Sequence, residues 1–273
     1  MSKSTEDLLR ELQTSGAIQG STAIAPAGEG GVRARAAGLR RRWGALMLIG
    51  AAILVAVVGS LPVGTYVLYP FSLFVTLLHE TGHALVATIT GGSVRQIEIA
   101  DNLSGVTTFS GGIQGLIAPA GYLGATLAGV GMILTPLRYA RWLIGTLALV
   151  PLAALTVFHP ADAFTVVWCV IFASCLLVAA WRLPARAAAF LQLFLGVETG
   201  LNSVRDLSAL LTISQSNAHI YTDADAMSKA LFGPPTFWAI AWAVLSVVLL
   251  ATALLKFARR ELAESSLQHS AVS

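Results

Sequence analysis

Residues 71–92 read FSLFVTLLHETGHALVATITGG. A helix needs about 20 mostly apolar residues to cross a bilayer, and this run is long enough. Yet His79, Glu80 and His83 stand near its middle. Residues four apart share one helix face about one turn apart, so the two imidazoles can close on a single ion. H-E-x-x-H on a helix supplies two zinc ligands and places the intervening Glu80 as a general base. A charged Glu near the centre of a lipid-embedded helix costs about 2–3 kcal/mol or more. A divalent cation beside it offsets that cost.

Composition agrees with a membrane setting. Of 273 residues, 56% are hydrophobic and 11% charged, and the mean hydropathy is +0.75. A soluble domain carries about 25% charged residues, too many to match this chain. The expected fold is an all-α polytopic membrane protein with about six to seven transmembrane helices and a small membrane-associated β-hairpin. The net charge of +3 comes from basic residues at the edges of apolar segments. They read as topology signals and lipid-headgroup contacts, and no nucleic-acid partner is expected. Cys169 and Cys175 share one apolar segment and read as packing residues, not as a disulfide or metal pair.

Three regions follow from the order of the chain. Residues 1–42 read as a flexible segment whose Gly/Ala/Ser-rich GSTAIAPAGEGG leads into a basic collar, Arg33, Arg35 and Arg40–Arg42. Residues 43–256 form the transmembrane domain, and 257–273 a disordered tail holding His269. The first span, about Trp43 to Tyr66, is expected to act as an uncleaved signal anchor, with Gly64 and Pro70 punctuating the way into the motif helix. After Gly91-Gly92 the period changes. SVRQIEIA alternates, DNLSG carries turn chemistry and VTTF is β-branched and aromatic, so a hairpin is expected at or in the bilayer boundary.

Ile113 to Leu134 is rich in small residues, which lets a neighbouring helix, here the motif helix, approach closely. Arg141–Phe158 and Ala163–Trp181 form an apolar helical pair joined at His159-Pro160, where His159 reads as a loop residue. On the next helix, about Ala187 to Leu211, Glu198, Asn202 and Asp206 recur at i, i+4 and i+8 and share one face. A polar stripe on such a helix faces the bundle interior or a hydrated cavity. Beyond it lies a polar stretch with His219, Asp223 and Asp225. Thr222-x-x-Asp225 reads as a capping box, and both acids are assigned to capping and the first helical turn. Phe237 to Leu255 is the last span.

HETGH in a membrane helix, a following hairpin, the small-residue stretch APAGYLGA and a later helix with an Asp occur here in order. In this the chain resembles the site-2 protease family of intramembrane zinc metalloproteases, and within it the compact bacterial members without a PDZ domain. The resemblance covers about Phe71 to Leu211. It implies Zn2+ held by His79, His83 and a third ligand from an N-P-(x)n-L-D-G type motif, with Glu80 catalytic. The nearest stretch here is LNSVRDL, which lacks that Pro and Gly and offers Asp206 as the third ligand. Glu198 is the main rival donor, with Asp223 or Asp225 behind it as acids already explained by capping, and Asn202 with Glu198 are possible substrate or cavity residues.

The activity so implied is hydrolysis of a peptide bond in or near the transmembrane segment of a membrane protein, with a membrane-anchored protein or peptide as substrate. Two other readings stand beside it: a catalytically silent protease-fold scaffold or chaperone, and a metal-ion carrier. The expected location is a cell membrane, the bacterial inner membrane, with the N-terminus cytoplasmic. Seven crossings from a cytoplasmic start put the hairpin inside. They leave Arg138, Arg141, Arg182, Arg186, Lys256, Arg259 and Arg260 outside, against the positive-inside rule.

Overall fold

The computed structural model describes residues 29–160, 162–215 and 221–270, with side chains described within 43–213 and 221–261. His219 and the side chain of His269 lie outside the described residues. Two compact units are present, Met1–Arg42 and Trp43–Ser273. The elements are α1 (Glu29–Ser60), α2 (Gly64–Ile89), β1 (Ser93–Ile99), β2 (Gly105–Ser110), α3 (Gln114–Leu134), α4 (Ala140–Leu147), α5 (Leu149–Thr156), α6 (Ala163–Arg182), α7 (Ala185–Gln215), α8 (Asp223–Ala230) and α9 (Pro235–Ser270). Among the described residues, six stretches are helical, long and apolar enough to cross a membrane: Trp43–Ser60, Gln114–Leu134, Leu137–Thr156, Ala163–Arg182, Ala185–Ile213 and Pro235–Glu261. With the two-stranded antiparallel sheet, this is the polytopic all-α fold expected.

Several boundaries differ from the sequence reading. The collar stretch is helical from Glu29, and α9 runs on to Ser270 where the span was expected to end at Leu255. Pro70 lies inside α2, where it removes one N–H donor without ending the helix. The break falls earlier, at 61–63. A Cβ on Gly64 would collide with the carbonyl of Val58, so only glycine lets α2 start so close to the end of α1.

That turn changes the topology. Along α1, the Arg186 guanidinium lies 5.4 Å from the Trp43 ring, and a Cβ at Gly59 would lie 3.8 Å from Arg205. Along α2, Gly82 meets Ala120 and Gly92 meets Gly112, so α2 runs against α3; α3 in turn runs against α7, with Gly129 at Gly200 and Met132 at Gln192. Both helices therefore advance in the direction of α7. Together they take the chain across once, so seven alternating crossings are not made. A Cβ on Gly44 would lie 2.6 Å from Glu261 Cδ, so the start and end of the bundle share one face.

Close approach holds the bundle together, because lipid removes the hydrophobic drive between helices. A Cβ on Gly129 would meet Gly200 N at 3.0 Å and Gly196 O at 3.1 Å, so α3 and α7 touch backbone to backbone. Gln192 Nε2 donates to Met132 O and Thr135 O, satisfying carbonyls at the end of α3. Thr126 Oγ1 donates to Ser246 Oγ at 2.9 Å between α3 and α9, a bond of about 0.6 kcal/mol in such a setting.

The hairpin lies along α2 and dips back toward the bundle. Tyr69 Oη donates to Asp101 O and Thr76 Oγ1 to Leu103 O. Ile97 and Ile99 are fully or almost fully buried beneath it. The register pairs Ile97 with Thr107 and Ile99 with Gly105, with an irregularity between Val94 and Gln96. Ile99 gives its N–H to Thr165 Oγ1 and accepts from the same hydroxyl. Both its main-chain groups thus face α6, away from β2. Since such pairs alternate along an antiparallel ladder, Gly105 and Thr107 turn their own N–H and C=O to the outer edge of β2.

Candidate metal centre

The motif sits in the fifth and sixth turns of α2, where α3 crosses closely enough to exclude side chains. A Cβ on Gly82 would collide with Ala120 O. One on Gly121 would lie 2.5 Å from His83 Nε2 and collide with His79 Nε2. The small-residue stretch APAGYLGA therefore does more than admit a neighbouring helix. Its Gly121 forms the floor beneath both imidazoles, and Tyr122 stands edge-on to His79 with ring centroids 4.4 Å apart.

The donor atoms converge. His83 Nε2 lies 2.9 Å from His79 Nε2, and Asp223 Oδ2 lies 3.2 Å from His79 Nε2 and 3.3 Å from His83 Nε2. Zinc bonds of 2.0–2.1 Å in tetrahedral array set donors about 3.3 Å apart. The three atoms fit a single zinc ion. His83 Nδ1 is 2.8 Å from Ile117 O. A carbonyl only accepts, so Nδ1 carries a proton and Nε2 is the ring atom turned to the site.

Asp223 reaches this position because the cap does not need it. Thr222 and Asp225 make both bonds of the capping box on α8, and Asp223, in the first turn, is left to point at the histidines. The sequence reading gave the two acids to capping and the first turn, and Asp223 lies in the first turn as read, but it also faces both histidines, which that reading set aside. Burial by itself raises the Asp223 carboxyl. Hydrogen bonds from His79 and His83, with their charge, outweigh it and hold the group well below the usual carboxylate range.

Asp206, the expected third ligand, lines the same cavity. It is not among the three converging residues, His79, His83 and Asp223. Its Oδ2 instead accepts from Asn202 Nδ2 at 3.2 Å. Asn202 in turn faces Ser72 of α2 at 3.5 Å. Glu198 lies deeper on that face and pairs with Arg205 at 3.2 Å. It does not reach the cavity wall. The reason is geometric. One face of α7 serves two depths, and only its last turns stand level with His79. His159 takes a left-handed conformation in the loop after α5, as a turn residue does.

Glu80 is buried and held from the hairpin. Thr107 Oγ1 lies 2.6 Å from Glu80 Oε2 and 3.0 Å from Glu80 O. A Cβ on Gly105 would lie 2.6 Å from Glu80 Oε1, so only glycine lets β2 come this close. His79, Glu80, Gly105, Thr107, Tyr122 and Asp223 all line a cavity of about 720 Å³. Thr107, Gly121 and Tyr122 were not found as site residues from sequence. Each acts across a long chain separation, and the only signal was the small-residue cluster.

The family model described as Peptidase M50B-like matches residues 47–253, most of the chain. No curated protein and no solved structure matches it.

Proposed function

The chain belongs to the Peptidase M50B-like family of site-2 protease type, and from that premise we propose that it is an intramembrane zinc metalloprotease. Its reaction would be hydrolysis of a peptide bond in or near the transmembrane segment of a membrane protein. The observation that carries this reading is the convergence of His79 Nε2, His83 Nε2 and Asp223 Oδ2 beside the buried Glu80.

In this proposal His79, His83 and Asp223 hold the ion, and Asp206 lines the cavity beside them. Zinc bound there supplies a polarising charge for the scissile carbonyl and lowers the pKa of a water. Glu80 takes that water's proton and returns it to the leaving amine. Thr107 keeps the Glu80 carboxylate turned toward the cavity. A substrate chain, unwound locally, adds as a strand on the outer edge of β2 and bonds the main chain of Gly105 and Thr107. The edge of β1 is closed to it by Thr165.

Metal analysis of purified protein, paired with cleavage of a membrane-anchored peptide, tests the reading. About one zinc per chain is expected, lost in His79→Ala, His83→Ala and Asp223→Ala and kept in Asp206→Ala. Glu80→Gln should keep zinc and lose turnover. Full activity in Glu80→Gln removes the general base from the mechanism. Zinc lost in Asp206→Ala but kept in Asp223→Ala returns the third ligand to α7.

A further inference from the structure

The two faces of the bundle differ sharply in charge. At one lie the start of the first span, the α3–α4 connection, the α6–α7 connection and the end of the last span. Arg186 lies over Trp43, Arg141 donates to the Ala180 and Trp181 carbonyls, and Arg260 reaches Leu134 O at 3.4 Å. This face carries Arg138, Arg141, Arg182, Arg186, Arg259 and Arg260. Three of these guanidiniums stand over aromatic rings, at 4.7 Å from Tyr139, 4.1 Å from Trp181 and 5.4 Å from Trp43. Cations and Trp or Tyr rings together mark a membrane–water interface.

The other face holds the ends of the hairpin strands, the start of α6 and α8. Its described cations are Arg95 and Lys229, among Glu98, Asp101, Asp162 and Asp225. Arg205, between the faces, pairs with buried Glu198. The metal centre belongs to this second side. From Arg186 to Asp206, α7 rises about 30 Å at 1.5 Å per residue, about the thickness of the hydrocarbon core.

Short loops rich in Lys and Arg stay in the cytoplasm. We infer that the arginine-rich face is cytoplasmic and that the metal cavity opens on the opposite, extracytoplasmic side of the membrane. The substrates of the site are then polypeptides presented from the outer half of the bilayer. This reverses the hairpin-inside orientation expected from sequence, and it removes the conflict that expectation carried. A parity of seven set the arginines outside, whereas α1 and α2 running in one sense put them on the side of Trp43. The substrate clause rests on the proposed function; the orientation does not.

The test uses the full chain in intact bacterial cells, with Cys169→Ala and Cys175→Ala as background and a membrane-impermeant maleimide as probe. Single cysteines are placed at exposed sites away from the metal centre: Ser110→Cys and Lys229→Cys on one face, Arg259→Cys on the other. Labelling after SDS solubilisation gives the total for each. Ser110→Cys and Lys229→Cys should label in intact cells to near their totals, and Arg259→Cys only after permeabilisation. Labelling of Arg259→Cys in intact cells, or protection of both other probes, overturns the orientation. Neither result bears on zinc content, and loss of zinc or cleavage leaves the labelling pattern unchanged, so the two failures are distinguishable.

Discussion

Replacing Gly121 by Ala adds one methyl group where the structure has no room for it. The new Cβ would lie 2.5 Å from His83 Nε2 and closer still to His79 Nε2. Carbon contacts are comfortable at about 3.5 Å or more, so the overlap is about 1 Å on both donor atoms at once. Moving α3 away is resisted by the Gly82–Ala120 backbone contact, leaving rotation of the imidazoles. That rotation breaks the bond from His83 Nδ1 to Ile117 O. Losing an outer-shell partner alone costs about 10–100-fold in metal affinity, and here the ligands themselves are displaced. The expected loss is about 100-fold or more, read by competition with a zinc chelator. Ala is a better helix former than Gly by about 1 kcal/mol, so helicity by circular dichroism should be kept. Gly131→Ala, on the same helix with nothing within 4 Å of its Cβ, is the control and should leave zinc unchanged. Unchanged affinity in Gly121→Ala would refute the placement of the imidazoles against α3.

Two further outcomes are expected. Thr107→Val keeps the shape of the side chain and removes its hydroxyl, so cleavage should fall about 10-fold or more while zinc content stays at the wild-type level; equal cleavage would detach the hairpin from Glu80. Acidification should release zinc by protonating imidazole: Asp223, held below the usual carboxylate range, stays ionised above pH 4, so release should follow a His-like midpoint near or below about pH 6.5. A midpoint near pH 4 in a zinc titration would make a carboxylate the weak link instead.

Much of this architecture is legible in the sequence, and what is not has physical causes. H-E-x-x-H in an apolar run fixes two donors because a helix sets their spacing locally. The Thr222–Asp225 box is equally local, and it forms as read. Its neighbour Asp223 lies in the first helical turn as read, but its approach to the histidines was not legible because a cap motif says which side chains bond the helix end and nothing about the remaining one. Asp206 was favoured because its stripe with Asn202 and Glu198 is real. Yet a shared face does not give depth, and depth depends on how α7 slides against α2. Gly64 was read with Pro70 as punctuation, but the first span was carried on to Tyr66, past the turn at 61–63. Only the collision of a Gly64 side chain with Val58 O, a tertiary fact, shows where α1 gives way to α2.

Thr107 has an everyday consequence for how such a protein can change over generations. Its hydroxyl fixes the angle of Glu80, while its main chain belongs to the strand edge proposed to receive the peptide. A residue with both duties cannot be varied to admit a different sequence without also disturbing the speed of the cut. Diversity in what is accepted must then arise at Val106, whose exposed side chain lines the cavity wall but has no recorded bond to the base. Position 107 is a hinge between taste and tempo, and drift is expected to pass it by.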